Sequence, residues 1–357
     1  MGYRYIGSKA RIADSIIEYL GTPKPEDGYF IDAFSGTGIV ASIAADHGWK
    51  IKVNDMMLNA AVISEARLLS KDDVSFSALG GYENALEILN EVKRKGFIWR
   101  EYSPASFHET GIERRYFTET NAQKIDGIVD SIQNWKKDGT ITSQEFTLLA
   151  ATLILATNNV ANIAGTYGCF LSKWQPQALE TLTLQPLELR DTTVEHSVST
   201  DDVFDVQSTL NDVVYLDPPY TKRQYASYYH ILETIVLGDN PIVAGVSGLR
   251  PWKSKASVFC YKVKALRALV DLTTSQKAKR VLISYSNDGH IHLDQLVDEL
   301  EQSGTVDVVE IGSIARYRPN QTARTHKPEV KEYLIDYKQD RGLKSEQTIN
   351  IGAVAFS

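Results

Sequence analysis

Residues 29–55 read YFIDAFSGTGIVASIAADHGWKIKVND. Tyr29-Phe30-Ile31 is a short apolar strand ending at Asp32. A glycine-punctuated turn follows, then a helical stretch from Ile39 to His47. Ile51-Lys52-Val53 is the next strand, ending at Asn54-Asp55. This strand–turn–helix–strand order predicts an α/β chain that opens a doubly wound, Rossmann-like sheet. Further strands are expected at Val213–Leu216, Arg280–Ser284, Val306–Ile311 and Glu332–Tyr337. The interval from Asp55 to Val213 is longer than one crossover needs. Ile125, Ile128, Val129, Ile132 and Trp135 keep helical spacing behind Thr118, and Thr142-x-x-Glu145 is a capping-box pattern before the apolar run 146–156. We therefore expect residues 1–59 and 196–357 to form the sheet domain, with 60–195 an inserted, mainly helical subdomain.

The length of 357 residues allows one large or two ordinary domains, and 43% apolar with 23% charged residues is ordinary for a soluble globular protein. No apolar run approaches the about 20 residues that a bilayer requires, and the first fifteen residues lack an apolar signal core. Two cysteines, Cys169 and Cys260, form neither a disulfide framework nor a metal cluster. They are expected to be buried structural thiols in a cytoplasmic protein without a metal. The net charge of −7 is unevenly spread. Residues 250–280 hold nine Lys/Arg against one acid, and 316–331 hold five against one, so local basic surfaces are set in an acidic chain.

Two constellations carry chemistry. In FIDAFSGTG, Gly36 and Gly38 let the backbone approach a ligand at a helix N-terminus. The full dinucleotide fingerprint is missing, because Ala41 takes the last glycine position. Asp55 stands where an acid can accept from a ribose, and where it can equally cap the next helix. The second constellation is Asp217-Pro218-Pro219-Tyr220, directly after the apolar Val213-Val214-Tyr215-Leu216. That run reads as a buried parallel strand. Successive prolines stiffen the loop, holding an acid and a phenol at the carboxyl edge of the sheet, where such folds bind ligands. A planar base with an exocyclic amine suits that receptacle.

Taken in order, Tyr5-Ile6-Gly7-Ser8-Lys9, FIDAFSGTG and DPPY resemble the motifs of S-adenosylmethionine-dependent DNA adenine-N6 methyltransferases of the alpha (Dam-like) group. The likeness continues through Arg223 to Thr234, a stretch similar to restriction-modification methylases. It implies a methyltransferase sheet carrying a target-recognition insert. In that scheme Tyr5 and Lys9 approach the methionine end of the cofactor, and Asp32, Phe34, Gly36 and Gly38 belong to its pocket. Asp55 holds the ribose, and Asp201 meets the cofactor's adenine, with Asp202 competing for that place. Asp217 and the Pro218 carbonyl accept the two hydrogens of the target amine, and Tyr220 stacks on a base extruded from double-stranded DNA. No metal is required. The resemblance leaves room for a separately encoded cognate endonuclease.

Lys173, Arg223, Lys253, Lys255 and Tyr167 are candidate DNA contacts. Asn158, Asn159 and Asn162 can read adenine edges or serve as buried amides. His230 is expected in the core or on a helix surface rather than in catalysis. Cytosine-N4 methylation uses the same geometry, and a catalytically idle cofactor- or DNA-binding module is a further alternative. A nicotinamide dehydrogenase explains neither DPPY nor the basic segments.

Overall fold

Four consecutive buried residues, Val213-Val214-Tyr215-Leu216, form the strand at the centre of the molecule. Such a run is what a parallel strand covered on both faces demands. The computed structural model describes residues 9–314 and 330–340. Its seven strands are β1 (Tyr29–Asp32), β2 (Lys50–Asn54), β3 (His196–Ser199), β4 (Val213–Leu216), β5 (Arg280–Ser286), β6 (Gly304–Ile314) and β7 (Val330–Gln339). They lie in the order β3-β2-β1-β4-β5-β7-β6. The first five are parallel, and β7 runs antiparallel between β5 and β6. Strand order reverses between β1 and β4, the topological switch point at which doubly wound sheets bind ligands.

Period-2 alternation assigns each strand two faces. Phe30, Ile51, Val213, Tyr215, Leu282 and Leu334 pack beneath the helices Ala13–Leu20 and Ile39–Asp46. Ile31, Val214, Leu216, Val281, Ile283 and Ile335 pack under Lys262–Ser275 and Leu293–Glu301. The expected strands are all present. The sequence did not announce β3, because His196-Ser197-Val198-Ser199 is a half-buried polar edge with no apolar signature.

Helices dominate the chain between β2 and β3 and share a separate core, which also takes in Ile231, Leu232, Ile235 and Val236. Thr118 caps Glu119–Lys137 by accepting from the Asn121 amide. Thr142 and Glu145 form the expected capping box of Ser143–Asn159. Glu145 is buried and also accepts from the amide of Phe76, whose φ of 46° is the one positive value outside glycine among the described residues.

Candidate active site

The carboxyl ends of β1, β2 and β4 open into one cleft, whose void, mouth included, is about 1100 Å³. Lys9, Asp32, Phe34, Gly36, Asp55, Asp201, Asp202 and Asp217 all line it, so residues far apart in the chain meet there.

Gly36 turns after β1 with φ 50°. Its amide donates to Asp55 Oδ2 at 3.0 Å, while Asp55 Oδ1 accepts from the Met57 amide at 2.9 Å. Asp55 thus fastens the glycine turn and starts the helix Leu58–Ala66. A carboxylate has about four lone-pair sites, so acceptors remain for a hydroxyl in the cleft. Burial pushes the Asp55 carboxyl up to about 6, offset in part by those amides. Asn54, buried at the end of β2, stitches the rim. Its Nδ2 donates to the carbonyls of Ala33 and Asp201, and its Oδ1 accepts from the Asp201 amide and the Ser199 hydroxyl. Asp201 is therefore placed by its backbone, which leaves its carboxylate exposed at the cleft. Asp202 accepts from the Phe204 amide at 3.1 Å and caps a short turn.

Asp32 is buried, and its Oδ1 has no hydrogen-bond partner. Burial, then Asp217, then Asp55 push its carboxyl well above the ordinary carboxylate range. An orphaned acid oxygen in a cleft is a ready acceptor for a ligand ammonium.

Lys9 is 5% exposed and has three acceptors for its three protons. They are Asp217 Oδ1 at 3.1 Å, Glu332 Oε2 at 3.3 Å and the Tyr220 hydroxyl at 3.3 Å. Burial alone would lower the ammonium's pKa, but Asp217, Tyr220, Tyr215 and Glu332 outweigh it and raise it well above the ordinary value. For Asp217 burial raises the carboxyl, Lys9 draws it back and Glu332 lifts it, giving about 6. Tyr220 packs edge-on against Tyr285, with ring centroids 5.6 Å apart, and its carbonyl accepts from the His290 amide. Burial pushes its phenol up to about 12.

The opposite wall is 255–259. Gln224, just past the proline loop, exchanges hydrogen bonds with the backbone of Ser257 at 2.8 and 3.0 Å, and the Cys260 thiol donates to the Arg223 carbonyl. Phe34 meets Phe259 edge-on at 5.5 Å, and Phe204 stacks on Phe259 at 5.9 Å. These rings give the cleft an apolar aromatic side beside Asp201 and Asp202.

Several expectations are corrected. Gly38 is not in the wall. A Cβ there would lie 2.5 Å from Ser64 Cα, so its bareness serves the packing of two helices. Tyr167 cannot meet DNA, because it is fully buried in the helical core and its carbonyl accepts from Tyr116 and His230. Lys255 donates to Glu233 at 2.7 Å and to the Met56 carbonyl at 2.8 Å, so it belongs to the cleft wall. Much of the basic segment 250–280 is held in ion pairs: Arg250 with Asp239, Lys255 with Glu233, Arg267 with Asp271, Lys279 with Asp27 and Arg280 with Asp336. Cys169 is exposed rather than buried. Lys173, Arg223 and Lys253 are exposed. His230 is in the core as expected, its imidazole lowered to about 4 by burial. Asn162 is a buried amide that ties together Arg115, Leu171 and Gln175. Tyr5 and most of the 316–331 segment lie outside the described residues.

Sequence reasoning passed over Asn54, Gln224, Glu233 and Glu332. Glu233 is 1% exposed and accepts from the Leu58 and Asn59 amides besides pairing with Lys255. A buried acid or amide on an apolar strand or helix was the available signal.

Among the described residues, no cluster of His, Cys, Asp and Glu could hold a metal ion, and no helix is long and apolar enough to cross a membrane. A model of the D12 class N6 adenine-specific DNA methyltransferases matches residues 5–298. The chain is 31% identical to Type II methyltransferase M.FokI of Planomicrobium okeanokoites, over 98% of this chain and 55% of that protein. It is 31% identical to modification methylase StsI of Streptococcus sanguinis, over 97% and 53%. With Type II methyltransferase M.NlaIII of Neisseria lactamica it shares 31% identity over 90% of this chain and 95% of that protein. The chain thus spans about half the length of the first two relatives.

Proposed function

The chain belongs to the D12 class N6 adenine-specific DNA methyltransferases, a family that in general uses S-adenosylmethionine, and on that premise we propose that it methylates the N6 amine of a specific adenine in double-stranded DNA. The observation that carries the proposal is the half-buried Asp217, held against Lys9 in the wall of a cleft that also contains the orphaned Asp32 oxygen.

The residues suit S-adenosylmethionine. The unpartnered Asp32 oxygen suits the ammonium of an amino-acid group, and Lys9, its protons held by Asp217, Glu332 and Tyr220, lines the same cleft. Asp55 keeps lone pairs for a ribose, and Asp201 with the Phe34, Phe204 and Phe259 rings suits an adenine ring and its amine. Gly36 lets the backbone pass close by. Bound there, the cofactor supplies an electrophilic methyl group on a sulfonium, whose sulfur keeps the electrons of the broken bond.

The chain's own residues supply the rest. The lone pair of an adenine amine is delocalised into the ring, which makes it a poor nucleophile. Asp217 and the Pro218 carbonyl accept its two hydrogens and draw the nitrogen toward tetrahedral geometry, localising that pair for attack. Once the nitrogen carries a fourth bond it must lose a proton, and the ionised Asp217 carboxylate is the base at hand to receive it and pass it to water. Tyr220, buttressed by Tyr285, stacks on the flipped base. We assign target recognition to 60–195 and DNA contact to Lys173, Arg223 and Lys253. Relatives named as modification methylases support a restriction-modification setting, and we propose a separately encoded cognate endonuclease and a cytoplasmic location with it.

Methylation of plasmid DNA with labelled cofactor, followed by nucleoside analysis, tests this. N6-methyladenine at one recurrent sequence is expected. N4-methylcytosine alone would replace the reading with the cytosine alternative, and no transfer to any DNA would leave an idle binding module.

A further inference from the structure

The residue that completes the Lys9 cluster comes from the far end of the chain, beyond the matched family region. Glu332 lies on β7 opposite Ser286 of β5 and Gly312 of β6. The β6–β7 register slips between Glu310 and Gly312, so an irregularity sits where Glu332 is presented. Bulges beside active sites commonly re-aim one side chain. Glu332 shares the strand face of Leu334, the face packed by the N-terminal helix that follows Lys9. Its carboxylate is 6% exposed, and Oε2 lies 3.3 Å from Lys9 Nζ.

A buried carboxylate, Glu332, and a half-buried one, Asp217, therefore share one ammonium. With Asp217 alone, Lys9 would leave the site neutral, and the cation would polarise the oxygen that must accept from the amine. A cation 3.1 Å from Asp217 also opposes the positive charge that develops on the attacking nitrogen. A second carboxylate makes the cluster a net anion and takes part of the ammonium's field onto itself.

We propose that Glu332 is a positioning residue for the transfer reaction: by sharing Lys9 with Asp217, it keeps Asp217 basic and oriented as the amine acceptor. The inference rests on the function proposed above. Glu332 touches neither base nor methyl donor in this scheme and acts only through Lys9. The titratable groups around Asp217 are Lys9 from the N-terminal segment, Asp32 from β1, Tyr215 and Tyr220 on its own element, Tyr225 beyond the loop and Glu332 from β7. Of these, Lys9 lowers the Asp217 carboxyl and Glu332 raises it.

The test is the pH profile of kcat/KM in Glu332→Gln. Gln can still accept from Lys9 but carries no charge. Its acidic limb should move to lower pH, and its plateau kcat should fall about tenfold, with cofactor affinity by calorimetry within about twofold of the native enzyme. Glu332→Asp keeps the charge but withdraws it by one methylene, so its limb should move the same way by less. An unmoved limb in a folded Gln variant overturns the inference. Should the Gln variant not fold, an unmoved limb and unchanged kcat in the Asp variant overturn it instead. Native enzyme that methylates no adenine would refute the proposed function, an outcome visible before either variant is made.

Discussion

The Lys9 ammonium lies 3.1 Å from the Asp217 carboxylate, and the two close the cleft from opposite regions of the chain. Desolvating both charges is costly, and their attraction compensates only because Glu332 and Tyr220 satisfy the remaining protons. Removing the cation should be severe. In Lys9→Met, Asp217 and Glu332 face each other unneutralised. We expect a loss of about 3–5 kcal/mol in urea unfolding, together with an acidic limb of kcat/KM displaced to higher pH. A variant as stable as the native protein would show the pair to be dispensable.

The native pH profile follows from Asp217, pushed up to about 6. Protonation removes the acceptor, so kcat/KM should fall about tenfold per pH unit below that point and level off above it. Stability runs the other way through this group. Between the ordinary carboxylate value and about 6 the folded chain holds a proton that the unfolded chain has lost, so the group's contribution declines as pH rises across that window. Rates that stay flat down to pH 5 would contradict the assignment.

Gly38 has φ 69°, and a Cβ there would lie 2.5 Å from Ser64 Cα. The Ser64 hydroxyl in turn donates to Ser35 and the Gly36 carbonyl. Gly38→Ala should thus separate two helices and disturb the glycine turn, at a cost of roughly 1–3 kcal/mol. Thermal unfolding measures it, and an unchanged midpoint would refute the packing role.

DNA affinity should depend on exposed cations and not on the paired ones. Lys173→Ala, Arg223→Ala and Lys253→Ala should each lower the slope of log K against log salt by about 1. Arg280→Ala strips the guanidinium from the 2%-exposed Asp336 carboxylate and leaves it only Tyr19 and Lys338, so it should cost stability and leave that slope alone. A slope changed by Arg280 and by none of the three lysine and arginine variants would reverse the assignment.

The parts that local chemistry specifies were legible in the sequence. The glycine turn after Phe30-Ile31-Asp32, the apolar run before Asp217 and the Thr142–Glu145 capping box each state their conformation within a few residues. What stayed hidden depends on long-range pairing. Asn54, Gln224 and Glu332 read as ordinary polar residues until the fold sets them against Asp201, Ser257 and Lys9. β3 was missed because an edge strand needs no apolar period, and Tyr167 was misread because a tyrosine in a Gly-rich turn looks exposed. Lys255 looked like a DNA contact, and Arg280 counted toward a basic surface, because their acids, Glu233 and Asp336, lie elsewhere in the sequence.

In the proposed reaction Asp217 acts on the amine while the cleft around Asp32 and Asp55 holds the methyl donor. Asp217→Ala tests it most directly, with transfer to DNA and S-adenosylmethionine affinity measured on the same preparation. N6-methyladenine formation should fall by at least about a thousandfold, with cofactor affinity within a few-fold of the native enzyme. Cofactor binding lost together with transfer, or transfer retained, would contradict it.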